Sequence, residues 1–127
     1  MEGHIYSKLH QLSGSVVPID LGEKRRAILE EARLAANGRA GETLVKEGAL
    51  RLTILGFTAG ASMADHQAGG PLSIEVLDGL IRVTVAGESS DVQCGDALVI
   101  EAGLRHAVLA RTDAVVLLAI AMSGREA

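Results

Sequence analysis

The sequence predicts an all-β fold, an antiparallel sandwich or barrel, preceded by one N-terminal α-helix. Three observations carry that reading. From residue 41 onward, apolar positions recur with a period of two, in short runs bounded by Gly, Asp, Ser or Asn. No strand–helix–strand alternation interrupts them, which argues against a parallel α/β sheet. The 127 residues include 15 glycines but only two prolines, a supply suited to many tight turns. The chain is 48% hydrophobic yet 2% aromatic, so its core must be built from Val, Leu, Ile and Ala. This length makes one domain with a core large enough to need no covalent staples.

Taken in order, residues 1 to about 18 show no firm period and read as an irregular or strand-like arm. Asp20 to Asn37 reads as the helix. Asp20 caps its first turn, with Glu23 three residues later as in a capping box. Ile28, Ala32, Ala35 and Ala36 share one shallow apolar face, and Arg26 stands four residues before Glu30 on another. Asn37-Gly38 supplies the stop. Eight strands follow: Thr43 to Lys46, Leu50 to Phe57, Ser73 to Leu77, Leu80 to Val85, Asp91 to Cys94, Ala97 to Glu101, His106 to Ala110 and Val115 to Ala121. Asp78-Gly79 reads as a two-residue hairpin, with further turns at Gly38 to Gly41 and Ala86 to Ser89. The organisation is thus an arm and helix over 1–40 and a barrel over 41–122.

Bulk chemistry narrows the function. A net charge of -4 leaves no basic footprint for nucleic acid. The aromatics are Tyr6 and Phe57 alone, so there is no platform on which bases would stack. Cys94 is the single cysteine, which excludes an internal disulfide and fits a reducing compartment. Asp91 and Asp96 beside it disfavour a reactive thiolate, so Cys94 reads as a packed small hydrophobe. No signal-peptide pattern opens the chain, and no apolar run reaches the roughly 18 residues of a membrane span. A cytoplasmic protein with no membrane partner is the expectation.

Two glycine-punctuated segments each carry one histidine. The first holds Gly60, His66, Ala68, Leu72 and Gly79; the second holds Gly95, Glu101, Gly103, His106 and Ala110. Their spacing resembles the paired motifs of the cupin superfamily, small RmlC-like jelly-roll proteins. The first family motif runs Gly, His, His, Glu, Gly, and the second runs Gly, Pro, Gly, His, Asn. The glycine frame and one histidine of each motif match. The other positions depart: Ala68 replaces the second His, Leu72 the Glu, Glu101 the Pro and Ala110 the Asn. The motifs cover residues 60–110, and the strand pattern extends the likeness over 41–121. The resemblance implies a cupin double-stranded β-helix, a jelly-roll barrel preceded by one helix.

The resemblance also implies a metal held by three His and one Glu, of which only His66 and His106 survive here. Three or four protein ligands normally hold such an ion. At most a weakly held divalent metal is therefore expected at His66 and His106. The same two imidazoles also read as neutral groups in the barrel mouth, or as a pair orienting a ligand or moving a proton. Strand alternation turns Leu72 and Ile74 inward and Glu75 outward; Asp65 and Gln67, flanking His66, turn outward by the same rule. The pocket is then apolar, lined by Met63, Ala68, Leu72, Ile74, Val108 and Ala110. That lining suits a small apolar or weakly polar molecule.

Gly69-Gly70-Pro71 reads as a mouth loop with backbone N–H groups open to an anion, and Arg105, Arg82 and Thr84 as surface or interface positions. His4 and His10 read as surface residues of the arm. The leading expectation is a small cupin-domain protein that binds such a molecule without a full metal site. The alternative is a metal-dependent dioxygenase or isomerase with a reduced two-His site. A ligand-binding half of a transcription regulator is disfavoured, since no helix-turn-helix pattern follows Ala121. The resemblance further implies a homodimer, which would also protect exposed strand edges.

Overall fold

The computed structural model describes residues 16–122. The arm's first fifteen residues, with His4, Tyr6 and His10, lie outside them. Among the described residues one helix, α1 (Leu21–Leu34), precedes nine strands: β1 (Arg39–Glu47), β2 (Leu50–Phe57), β3 (Ser62–His66), β4 (Leu72–Asp78), β5 (Leu80–Val85), β6 (Glu88–Gln93), β7 (Ala97–Ile100), β8 (His106–Ala110) and β9 (Ala114–Ala121). They form two antiparallel sheets, ordered β1-β2-β9-β4-β7 and β3-β8-β5-β6. All-β jelly-roll architecture with a leading helix is what the sequence predicts.

The helix begins as expected: the Asp20 carboxylate accepts from the Glu23 N–H at 3.1 Å. It ends three residues earlier than expected, with Ala35 already extended at φ -84°, ψ 142°. Tertiary pairing decides this, because Arg39 must already lie opposite Phe57 as the first residue of β1. Gly38 to Gly41 is therefore not one turn: only Gly38 turns, at φ 74°, and residues 39–41 pair with β2. Glu30 meets Arg33 at 3.6 Å rather than the expected Arg26.

Ile28 is fully buried against Leu44, Val45, Ile54 and Val115 on the outer face of the five-stranded sheet, and Ala32 is buried one turn later. A bulge between Thr43 and Val45 lets both Leu44 and Val45 face the helix, breaking the period of two. Phe57, Ile74, Val76, Ile81, Val83 and Val116 form the inner core between the sheets. Strand β9 serves both layers, Val115 toward the helix and Ala114 and Val116 inward. That double burial explains its continuous aliphatic run.

Gly56 permits the helix to sit so close. A Cβ there would stand 2.8 Å from the Ile28 carbonyl oxygen and 3.0 Å from its carbon. Both are backbone atoms, so relief requires moving the helix off the sheet. Gly56→Ala is expected to lower stability by about 1–3 kcal/mol, read as a lower urea midpoint. An unchanged midpoint would show that α1 is loosely docked.

The Asp78-Gly79 turn corrects the hairpin expectation. β4 pairs with β7 and β9, whereas β5 pairs with β6 and β8, so this turn carries the chain from one sheet to the other. A register shift between Val76 and Asp78 bends the strand at that corner. The two-residue hairpin with left-handed residues is instead Ala86-Gly87, at φ 52° and 82°, joining β5 to β6. Cys94 is also not packed: it is exposed, and its thiol donates to the Leu77 carbonyl at 3.2 Å.

Candidate functional site

Strand β3 was not expected as a strand, and its irregularity builds the site. Met63 pairs with Val108, yet His66 pairs with His106, so three steps along β3 match two along β8. The extra residue is a bulge, which brings Met63 and His66 to the same inner face. A strict period of two would have sent one of them outward. On the regular partner strand β8, His106, Val108 and Ala110 all point inward and are buried.

The two imidazoles meet edge to face, with centroids 4.4 Å apart and ring planes at 85°. His106 is 2% exposed. Its Nδ1 lies 3.3 Å from the Leu104 carbonyl oxygen. A carbonyl only accepts, so Nδ1 carries the proton and Nε2 is left as the acceptor. His66 is half-buried, but its Nδ1 is fully buried and has no hydrogen-bond partner. Burial holds its pKa below the ordinary value of 6.5, and His106, Arg105 and Arg39 push the same way against Asp65.

That direction has a consequence for stability. Between 6.5 and its lower folded value, the unfolded imidazole binds a proton that the folded one refuses. Stability should therefore fall as pH drops through that window, with no His66 contribution above 6.5. Urea midpoints measured from pH 7.5 to 4.5 should show a decline that His66→Gln makes shallower; parallel profiles would contradict it.

Outside the barrel, Arg105 clamps β8 to β3 through Asp65, 3.0 Å to the carboxylate and 3.1 Å to the backbone oxygen. Both side chains are exposed, so the pair adds little net stability. Arg82 likewise faces outward, 3.0 Å from Asp91. Glu75 and Asp65 are exposed, as strand alternation predicts.

A cavity of about 200 Å³ opens beside the histidines. Of the expected lining, Met63, Ala68, Leu72, Ile74 and Val108 are on its wall with His66 and His106. Ala110 is not: it is 1% exposed and packed into the inner core beyond the cavity floor. Gln67 lines the cavity despite its expected outward turn, because β3 ends at His66 and alternation no longer applies. Its side-chain amide donates to the Gly103 carbonyl at 2.9 Å. Leu55, Phe57, Ile81, Val116, Leu118 and Ile120 line the cavity too, beyond the expected set. The alternation within β2 and β9 was the available signal, but nothing in the sequence said which face of each strand met the histidines.

The donor set does not complete a metal centre. Among the described residues, no group of three His, Cys, Asp or Glu is placed to hold an ion. Ala68 and Leu72 offer no lone pair, and His106 commits Nδ1 to Leu104. The Gly69-Gly70-Pro71 loop is packed against the end of β9. Gly70 is buried against the Ala121 carbonyl, and Ala121 N–H donates to Pro71 at 3.2 Å. No described helix is long and apolar enough to cross a membrane.

No protein-family model matches the chain, and no curated protein matches it. Solved structures do. A conserved protein of unknown function from Streptococcus pyogenes superposes with a TM-score of 0.65 at 26% identity, covering 70% of this chain and 78% of the other. A cupin superfamily protein from Desulfitobacterium hafniense gives 0.66 at 19%, covering 72% and 87%. The salicylate 1,2-dioxygenase of Pseudaminobacter salicylatoxidans gives 0.70 at 21%, covering 78% of this chain but only 33% of that enzyme. The two antiparallel sheets, the inward histidines of β3 and β8 and these superpositions agree: by fold, the chain is a cupin jelly roll.

Proposed function

We propose that the barrel binds one small, predominantly apolar organic molecule without a full metal site. The observation that carries this reading is the cavity itself: about 200 Å³, walled by aliphatic side chains and Phe57, with an unpartnered buried Nδ1 on His66. An engineered apolar cavity of about 150 Å³ is known to accept benzene, so this volume suits one ring or a short chain. A ligand group that donates to or accepts from His66 Nδ1 relieves a buried polar atom that otherwise costs stability. His106 Nε2, the acceptor of its ring, is a second partner for a hydroxyl.

Titration calorimetry with phenol tests the reading. Phenol should bind the wild-type chain and raise its melting temperature, and Val108→Phe should abolish binding while circular dichroism stays native. Failure of phenol and of comparable small apolar or weakly polar compounds to bind would overturn it. The alternative is a metal-dependent dioxygenase or isomerase working from two histidines. Stoichiometric transition metal in untagged protein, lost in the His66→Ala/His106→Ala double variant, would favour that alternative.

We further propose a homodimer, supported by the edge strands β1, β3, β6 and β7 and by Val99, 74% exposed on β7. Light scattering at micromolar concentration checks it, a monomer counting against.

A further inference from the structure

A second chamber, also of about 200 Å³, adjoins the histidine cavity and shares Leu55, Phe57 and Met63 with it. It lies between β1 and β3, the terminal strands of the two sheets, which do not pair with each other. Its remaining walls are Arg39, Ala40 and Gly41. Arg39 is thus the one charged residue among the described residues lining either chamber.

The position of Arg39 is built rather than loose. Its backbone N–H donates to the Asn37 side chain at 3.2 Å, and its Nη1 donates to the Ser62 carbonyl at 2.8 Å, across the open edge. No carboxylate among the described residues lies within ion-pair distance of it, in contrast to Arg33, Arg82, Arg105 and Arg111. Nε and Nη2 therefore retain donors, on a half-buried residue beside an apolar wall. Its charge is felt at His66, whose protonation it helps to disfavour. A cation in such surroundings attracts an anion more strongly than one in open water.

We propose that the ligand is an amphiphilic carboxylate, its apolar body in the histidine cavity and its carboxylate held by Arg39 in the chamber between β1 and β3. This rests on the reading of the barrel as a small-molecule site and names its ligand class. Met63 stands on the boundary of the two chambers. Its unbranched side chain can swing without moving backbone, so one molecule spans both. The guanidinium fork matches a carboxylate in geometry, and the planar pairing is unavailable to an alcohol of the same length.

The test compares 3-phenylpropionate with 3-phenylpropan-1-ol by titration calorimetry on the wild-type chain, Arg39→Gln and Arg39→Lys. The acid should bind wild type about tenfold or more tighter than the alcohol, as one charge-assisted hydrogen bond requires. Arg39→Gln should erase that preference by weakening the acid far more than the alcohol, and Arg39→Lys should keep part of it. Equal affinities in the wild type, or a preference that survives Arg39→Gln, would overturn the head-group assignment and leave the barrel reading standing. If neither compound binds wild type while phenol does, the assignment falls and the barrel reading stands; if phenol fails as well, both fall. Circular dichroism of Arg39→Gln matching wild type shows that the variant is folded.

Discussion

Phe57→Ala should cost about 3–5 kcal/mol of unfolding free energy, the largest loss expected from a single truncation in this protein. Phe57 is the only phenylalanine, 1% exposed, and it closes β2 against both the inner core and the cavity wall. The flanking strand positions are held in register by β1 and β9, so the surroundings can collapse only partly. The removed ring should leave a void continuous with the existing cavity. Urea denaturation measures the loss. If the barrel binds ring-sized ligands, a larger aromatic compound should bind the variant better than wild type and return part of the lost stability by mass action. A cost below about 1 kcal/mol would mean that the two sheets close over the gap.

The second large effect is expected at Leu72, 3% exposed and in register with Ile100 and Ile120. Leu72→Glu places a carboxylate in an aliphatic wall, where an unpaired charge costs several kcal/mol or is driven to protonate. Combined with Ala68→His, it would bring four donor side chains to one cavity with His66 and His106. Zinc should then raise the melting temperature of the double variant in a concentration-dependent way, while wild type responds little. A double variant with no zinc-dependent rise would show that these wall positions do not converge. The comparison separates two meanings of the replacements at Ala68 and Leu72. Either they are all that stands between this barrel and a metal site, or the backbone has also moved away from one.

The elements that were legible in the sequence are those with an uninterrupted period. Leu50–Phe57, Leu80–Val85 and His106–Ala110 have the expected bounds, and Asp20 caps the helix as expected. The elements that were not legible contain a bulge or exchange partners. Ser62–His66 was missed because its bulge puts Met63 and His66 on one face. Arg39–Glu42 was missed because this polar, glycine-containing stretch is extended only by its pairing with β2. Asp78-Gly79 has the residues of a hairpin, yet the strands it joins belong to different sheets. A local turn signal specifies a reversal of the chain, not the identity of the strand that follows in the sheet.

The same division holds for the site. The sequence alone determined that the barrel is aliphatic, that two histidines survive in the motif frame, and that side chains at Ala68 and Leu72 cannot bind a metal. These are properties of residue type and spacing. Only the tertiary structure decided that the two rings touch, that His66 Nδ1 is buried without a partner, that Ala110 sits behind the wall, and that Arg39 from a distant strand faces an adjoining chamber. Those depend on the register between strands far apart in the chain, and in a sheet a single bulge is enough to reset which residues share a face.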